Sequence, residues 1–285
     1  MLKGLIIAAS KADELKHRLT AERLLWTELQ EPKKRKKEDF LAALKCLSAE
    51  EKEVLCLVET DRDERTALEL GLFVIGYLNP DCPGEQLSGC KLLLEGYQEI
   101  DRLFLENVHT RALGLPVQIA GTKRLLIREM TLEDLDAVRS LYQEEHFLFQ
   151  TSEHPLNREE EEEKIKAYIH YMYGLYQFGM WVVIERESGK LIGRAGFGIA
   201  DYLDFSEVDL GYLIGKEYRR RGYAEEACRA VLDYAGRILD LPGVSAYIDQ
   251  ENEASLRLIE KLGFQKKEDF IYQGRRLGRY CIKFT

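Results

Sequence analysis

Positive charge is not in excess: 41 Lys and Arg stand against 50 Asp and Glu, a formal net charge of −9 over 285 residues. That balance argues against a general nucleic-acid binder or a protein of anionic membrane surfaces, both of which want basic surface. Long apolar runs are missing as well. The apolar start, residues 5–9, is soon interrupted by Lys11 and Asp13 and is too short for a signal-peptide core. No stretch is long and apolar enough to span a bilayer. Cysteines are few and scattered. Cys46, Cys56, Cys82, Cys90, Cys228 and Cys281 show no metal-ligand spacing, and most sit among apolar residues. The expectation is buried thiols in a reducing compartment, the cytoplasm, and no metal site. The five histidines (His17, His109, His146, His154, His170) form no pairing pattern and carry no assigned chemistry. What is present is a globular composition, 45% hydrophobic and 32% charged, in a chain long enough for two modest domains.

The first half alternates strand and helix. Residues 2–9, 54–58, 73–78 and 91–94 read as strands, and 13–29, 40–47, 64–70 and 97–113 as helices, with Trp26 a core residue of the first helix. Such alternation means a parallel α/β sheet. The basic run Lys33-Lys34-Arg35-Lys36-Lys37 reads as a solvated turn, with a phosphate site as the alternative. The stretch from Cys56 to Pro116, with its VETD segment at 58–61 and LLLEGYQEID at 92–101, resembles the C-terminal half of a haloacid-dehalogenase-like hydrolase. It departs from that family where chemistry matters most. Those enzymes place an Asp nucleophile directly after the first strand, and here that place is Ala8-Ala9-Ser10. Without the carboxylate there is no phosphoryl acceptor and half the magnesium site is gone. Glu59 and Asp61 remain as ligands for a cation or as a helix cap facing solvent. The half is expected to be non-catalytic, serving scaffolding, homo-oligomerisation or ligand sensing.

A boundary is expected within 115–122, giving domains 1–121 and 122–285. Residues 124–130 (RLLIREM) then make an alternating strand, and Thr131, with Asp134 three residues on, caps a helix whose buried face is Leu135, Val138, Leu141 and Tyr142. A second helix over 159–176 opens on five acids, Glu159 to Glu163. They serve as solvated capping of the helix dipole or face a cationic substrate. A hairpin follows, 181–185 with 191–199. The stretch 206–237 is the hub: a strand over 208–214 with Asp209 as the single charge inside it, a basic Arg/Gly connection, and a helix from Gly222. That helix stripes Ala224, Ala227, Cys228, Val231, Ala235 and Ile238 onto one face. Strand, short loop and helix mouth form an anion site, because the first N–H groups of the helix have no internal partner. A strand over 244–248, a helix over 252–262 and strands over 264–270 and 280–284 close the chain.

Arg219-Arg220-Arg221-Gly222-Tyr223-Ala224 reads Arg-x-x-Gly-x-Ala, and Asn252-Glu253-Ala254-Ser255 leads into Glu260-Lys261-Leu262-Gly263-Phe264. On these residues, from about Thr122 to the C-terminus, the chain resembles the GNAT acyl-CoA N-acyltransferases. It looks most like the branch containing the ribosomal-protein N-terminal acetyltransferases. The resemblance implies an α/β fold with a mixed, mostly antiparallel sheet and flanking helices. It also implies transfer of an acetyl group from acetyl-CoA to a primary amine, a protein N-terminus or a small molecule, by direct attack. The backbone of Arg221, Gly222, Tyr223 and Ala224, with the charges of Arg219, Arg220 and Arg221, would hold the pyrophosphate. The backbone of Leu213 and Ile214 would pair with the pantetheine arm. Asn252 would cap its helix and contact CoA, with Ser255 beside it.

Asp209 is the first candidate for general base, with Glu207 on the same strand face. Asp209 shares that face with Gly211, which leaves space beside it, and the short Asp would work through a bridging water. The alternative is a strand-end acid paired with an Arg. Many relatives carry a Tyr seven residues after the Asn; here that position is Ile259. Ser255, Tyr272 and Tyr280 are the candidates to stand in, the alternative being a thiolate that leaves unassisted. The missing Tyr and the degenerate partner domain keep a rival open, a non-catalytic acyl-CoA-binding regulatory or scaffold module. The regions that choose the acceptor, 147–176 and 270–280, carry no readable code.

Overall fold

The computed structural model describes residues 1–31, 34–143, 157–202 and 205–284, and the chain divides into two compact units, Met1–Val117 and Gln118–Thr285. In the first, β1 (Gly4–Ala8), β2 (Leu25–Glu28), β3 (Val54–Val58), β4 (Phe73–Tyr77) and β5 (Leu93–Leu94) form a parallel sheet in the order β2-β1-β3-β4-β5. Helices α1 (Asp13–Ala21), α2 (Lys37–Cys46), α3 (Asp61–Glu69) and α4 (Arg102–Ala112) cover both faces. This is why β1 and β3 are apolar at every position rather than alternating. Leu5 and Ile7 pack with Leu15, Leu19 and Leu105, while Ile6 and Ala8 pack with Phe40, Leu44 and Ala67.

Four expectations change in this unit. The helix over 13–29 stops at Ala21, and Leu25–Glu28 becomes β2, with Trp26 opposite Leu5 of β1. Leu, Trp and Thr in succession suit a pleated, half-buried edge better than a helix. Within the basic run, Lys33 lies outside the described residues, but Arg35 is not solvated. It is 4% exposed, ion-paired with Asp63 at 2.8 Å, and donates to the Ala8 carbonyl at 2.7 Å. Glu59 and Asp61 are tied internally. Oε2 of Glu59 accepts from the Ser10 amide (2.9 Å), the Ser10 hydroxyl (2.7 Å) and Asn79 (2.9 Å). Asp61 accepts the Leu87 and Gln86 amides, which hold its carboxyl below the usual range, and the cap of α3 is Thr60. Of the cysteines, Cys56 and Cys228 are buried, Cys46 is exposed and the other three are half-buried.

The second unit is one sheet of β6 (Gln118–Gly121), β7 (Leu125–Arg128), β8 (Met180–Glu185), β9 (Leu191–Tyr202), β10 (Phe205–Ile214), β11 (Gly243–Asp249), β12 (Gln265–Tyr272) and β13 (Arg275–Lys283). Its order is β12-β13-β11-β10-β9-β8-β7-β6, antiparallel throughout except between β10 and β11. The helices are α5 (Leu135–Gln143), α6 (Arg158–Tyr168), α7 (Tyr223–Arg237) and α8 (Glu253–Lys261). β6 precedes the boundary expected after residue 121, yet it pairs with β7 and opens this sheet. Asn157 and Glu160 cap α6 reciprocally, while Glu161, Glu162 and Glu163 pair with Arg139, Arg158 and Lys166. That accounts for most of the acid run by capping and ion pairing. Of the stretch 147–176 expected to choose the acceptor, residues 147–156 lie outside the described residues. α7 buries Ala227, Cys228, Val231, Leu232, Tyr234 and Ala235, and Tyr234 meets Trp181 of β8 edge-on at 5.4 Å. Ile238, counted in its stripe, falls beyond the helix end and is 45% exposed.

Candidate active site

Register puts the candidate acids and their neighbours on one face. Asp209 pairs with Gly198, Gly211 with Gly196 and Leu213 with Arg194 across β10 and β9, and Met180 of β8 pairs with Gly196. Paired residues point the same way and alternate along each strand. The opposite face carries Trp181, Phe197, Leu210 and Tyr212, the face that α7 covers through Tyr234.

Asp209 is half-buried, and burial pushes its pKa up to about 6 against a hydrogen bond from its own backbone N–H. Its carboxyl leans over Gly198, where a Cβ would lie 2.9 Å from Oδ1. Among the described residues it has no ion pair. The arginine partner left open for Asp209 belongs instead to Glu207. Arg279 clasps both Glu207 oxygens, and Ser245 Oγ (2.6 Å) and the Tyr247 hydroxyl (2.9 Å) donate to it as well. Burial works to raise the Glu207 pKa, but these bonds outweigh it and hold the carboxyl below its ordinary value. Two acids on one strand face therefore differ: one is poised near neutrality, the other is locked as an anion. The space expected beside Asp209 is narrowed, since the Met180 thioether lies over Gly211, with Sδ 2.8 Å from where a Cβ would stand.

Gly222 caps α7 in the left-handed region (φ +79°), and no side chain caps the helix. Arg219, Arg220, Arg221 and Gly222 are exposed, while Ala224 is half-buried. Tyr223 turns inward: it is 7% exposed, its hydroxyl bonds to Glu185, and Arg124 stands 4.4 Å from its ring centroid. Arg124 also donates to the Arg221 carbonyl (2.9 Å) and to Glu226 (2.6 Å), which takes the Thr122 hydroxyl too (2.6 Å). This cluster holds the loop while leaving the helix mouth open, and an open mouth rimmed by three arginines suits a diphosphate.

β10 and β11 share a single register pair, Asp209 with Ser245, whereas β10 stays paired with β9 from Phe205 to Ile214. The two parallel strands thus part beyond Asp209. Antiparallel ladders turn alternate residues toward the partner. Gly215 donates to the Ile192 carbonyl at 2.8 Å, so Gly211 and Leu213 also direct their backbone toward β9. Tyr212 and Ile214 face the opening, and the Ile214 carbonyl accepts from Arg219 (3.0 Å). Leu213, expected to pair with a ligand, is thereby on the wrong side of the alternation.

Asn252 accepts the Ser255 amide at 3.1 Å and caps α8. Ser255 neighbours the Tyr212 hydroxyl, which is buried without a well-formed hydrogen bond. Burial pushes that hydroxyl up to about 12, and Ser255 draws it back. Ile259 is fully buried, Tyr280 is buried with its hydroxyl accepting from Gln250 (3.3 Å), and Tyr272 is 37% exposed. Sequence reading missed Tyr212, Met180 and Arg194. Arg194 carried a usable signal, a lone charge inside an apolar strand, the same feature that singled out Asp209.

A family model described as acetyltransferase (GNAT) domain matches residues 124–265. The chain is 31% identical over 161 residues to the uncharacterized N-acetyltransferase YoaA of Bacillus subtilis (strain 168), covering 54% of this chain and 89% of that protein. It is 30% identical over 151 residues to the uncharacterized N-acetyltransferase YnaD of the same organism, covering 52% and 84%. A solved structure from Bordetella pertussis, assigned to the GnaT-family acetyltransferases, superposes with a TM-score of 0.51 at 22% identity, covering 58% of this chain and 99% of that one. At that identity the likeness speaks to the fold alone. Through its C-terminal half, the chain belongs to the GNAT N-acetyltransferase family.

Proposed function

We propose that the C-terminal unit moves an acetyl group from acetyl-CoA to a primary amine by direct attack. The open α7 mouth beside the parted β10 and β11 carries this reading, because it offers anion-binding amides next to backbone that faces no neighbouring strand. Acetyl-CoA, when bound, supplies an activated thioester. The amides of 221–224 with Arg220 and Arg221 would hold its diphosphate, and the backbone of Tyr212 and Ile214 would hold its amide-bearing arm. Asn252 would border that path.

Asp209 is the base. A free amine has a pKa of about 8–10, and a carboxylate near pKa 6 is ionised at neutral pH yet basic enough to relay a proton through water. Glu207 anchors Arg279 and is not the base in this reading. Ser255 Oγ, with the Tyr212 hydroxyl behind it, is the site's proton source for the leaving sulfur, a role that the buried Ile259 does not fill.

The N-terminal unit is read as a haloacid-dehalogenase-like scaffold without its nucleophile, supported by Ser10 in that place, bonded to Glu59. A cytoplasmic setting is supported by the six unbridged cysteines. The test is CoA release from acetyl-CoA against a panel of primary amines, beside the acetyl-CoA-induced rise in melting temperature. Binding with no release from any amine would favour a regulatory acyl-CoA-binding module. No binding would remove the assignment.

A further inference from the structure

Arg194 of β9 is 8% exposed, on the same sheet face as Asp209. Its Nη1 donates to the Tyr142 hydroxyl (2.9 Å) and its Nη2 to the Met180 carbonyl (2.8 Å). The guanidinium stands 5.9 Å and 5.8 Å from the ring centroids of Tyr142 and Tyr168. Its Nε is buried without a well-formed hydrogen bond, although the Tyr168 hydroxyl lies close enough to the guanidinium to be influenced by it. Among the described residues no carboxylate forms an ion pair with it, and its neighbours of consequence are Tyr142, Tyr168 and Tyr173. Arg35, the other buried arginine among the described residues, is by contrast paired with Asp63. An arginine cannot shed its charge, so burial without a counter-charge is costly, and ring faces offset only part of that. A poorly satisfied donor on a buried cation is a place where an anion belongs.

The position says which anion. Met180, whose carbonyl takes Nη2, pairs with Gly196, and Gly196 is two residues from Gly198, which faces Asp209. Two strand residues span roughly 7 Å. The Met180 thioether over Gly211 lines the strip between. An amine held at Asp209 through one water and a carboxylate at Arg194 fit that span in a molecule the size of an amino acid. We propose that Arg194 binds a carboxylate of the acceptor, and that the acceptor is a small amino acid rather than a polyamine, whose second cation Arg194 would repel. This rests on Asp209 acting as the base of the transferase.

The test is CoA release by the full-length protein with free amino acids, each matched to its own carboxamide, and with putrescine. The amine is the same within each pair and only the carboxylate differs. For the accepted side chain, kcat/KM for the acid should exceed that for the amide by about 10- to 100-fold, and putrescine should be poor. Arg194→Gln should bring the ratio to about one, chiefly through KM of the acid, with the acetyl-CoA melting shift retained. Arg194→Lys should keep part of the preference. A merely structural arginine would not move that ratio, and the comparison on the unaltered protein stands even if a variant fails to fold. Amides or putrescine acetylated as well as the acids would overturn the inference and leave the transferase reading intact. No release with any acceptor would overturn both.

Discussion

Asp209 on β10 and Gly198 on β9 face each other in register, and the Asp209 carboxyl lies across the bare Cα of Gly198. The acid is desolvated by the sheet around it rather than steered by a partner charge, which is what lifts its pKa to about 6. Gly198→Ala should therefore separate fold from function. The atom that must give way is the end of a side chain, so stability should change by no more than about 1 kcal/mol. Displacing the carboxyl should lower kcat by roughly 10- to 100-fold. Normal kinetics in a folded Gly198→Ala protein would mean that the carboxyl's place is unimportant.

Asp209→Asn should slow the reaction and stabilise the protein together. Loss of a general base costs about 10²- to 10⁴-fold in kcat, and the rise of rate through pH 6 should flatten. A carboxyl with a folded-state pKa of about 6 and an ordinary value of 3.8 takes up its proton first in the native state. Folding is penalised progressively as pH climbs from about 4 to about 6, and above that the penalty is complete, at most about 3 kcal/mol. The amide carries no such penalty. Chemical denaturation should find the variant more stable than the parent at pH 7.5 and not at pH 3.5. A less stable variant at pH 7.5 would contradict the burial-driven shift.

Gly222→Asp should abolish the acetyl-CoA melting shift. It puts a β-carbon at φ +79° and a negative charge at the mouth proposed to hold the diphosphate, with a fold cost of about 1–2 kcal/mol. Gly222→Asn, which tolerates the left-handed region better, should retain part of the shift. An undiminished shift in the Asp variant would move the anchoring site elsewhere.

Ile259→Tyr tests whether the tyrosine that the family resemblance implies at this position can be supplied. Ile259 has 0% exposure, so the larger side chain should destabilise by about 1–3 kcal/mol, seen as a lower melting temperature. No gain in kcat is expected, since the position belongs to the core. A faster, stably folded variant would place the leaving sulfur beside α8 at that turn.

Legibility in the sequence followed locality. β3 was read to the residue because five apolar positions in a row announce a strand covered on both faces. The helix after Gly222 was legible because its stripe and its glycine lie within a few turns of each other. The helical reading of 25–28 and the solvated reading of Arg35 fail because the environments are built by distant segments, β1 for one and Asp63 for the other; Trp26 still packs against the core. Glu207 and Asp209 looked interchangeable on paper, two acids on one face. Arg279, 72 residues from Glu207, made them different.

By itself the sequence determined most of the strands and helices of the C-terminal half, the exposed glycine at the mouth of one helix, and which family the chain joins. These rest on periodicity, on the conformational needs of one glycine and on short motifs, all written within a few residues. Only tertiary structure decided which acid stays ionised, which strand atoms face the opening, and that a lone arginine is buried beside the site. Charge states and hydrogen bonds depend on what packs against a group, and here those neighbours come from strands and helices far apart in the chain.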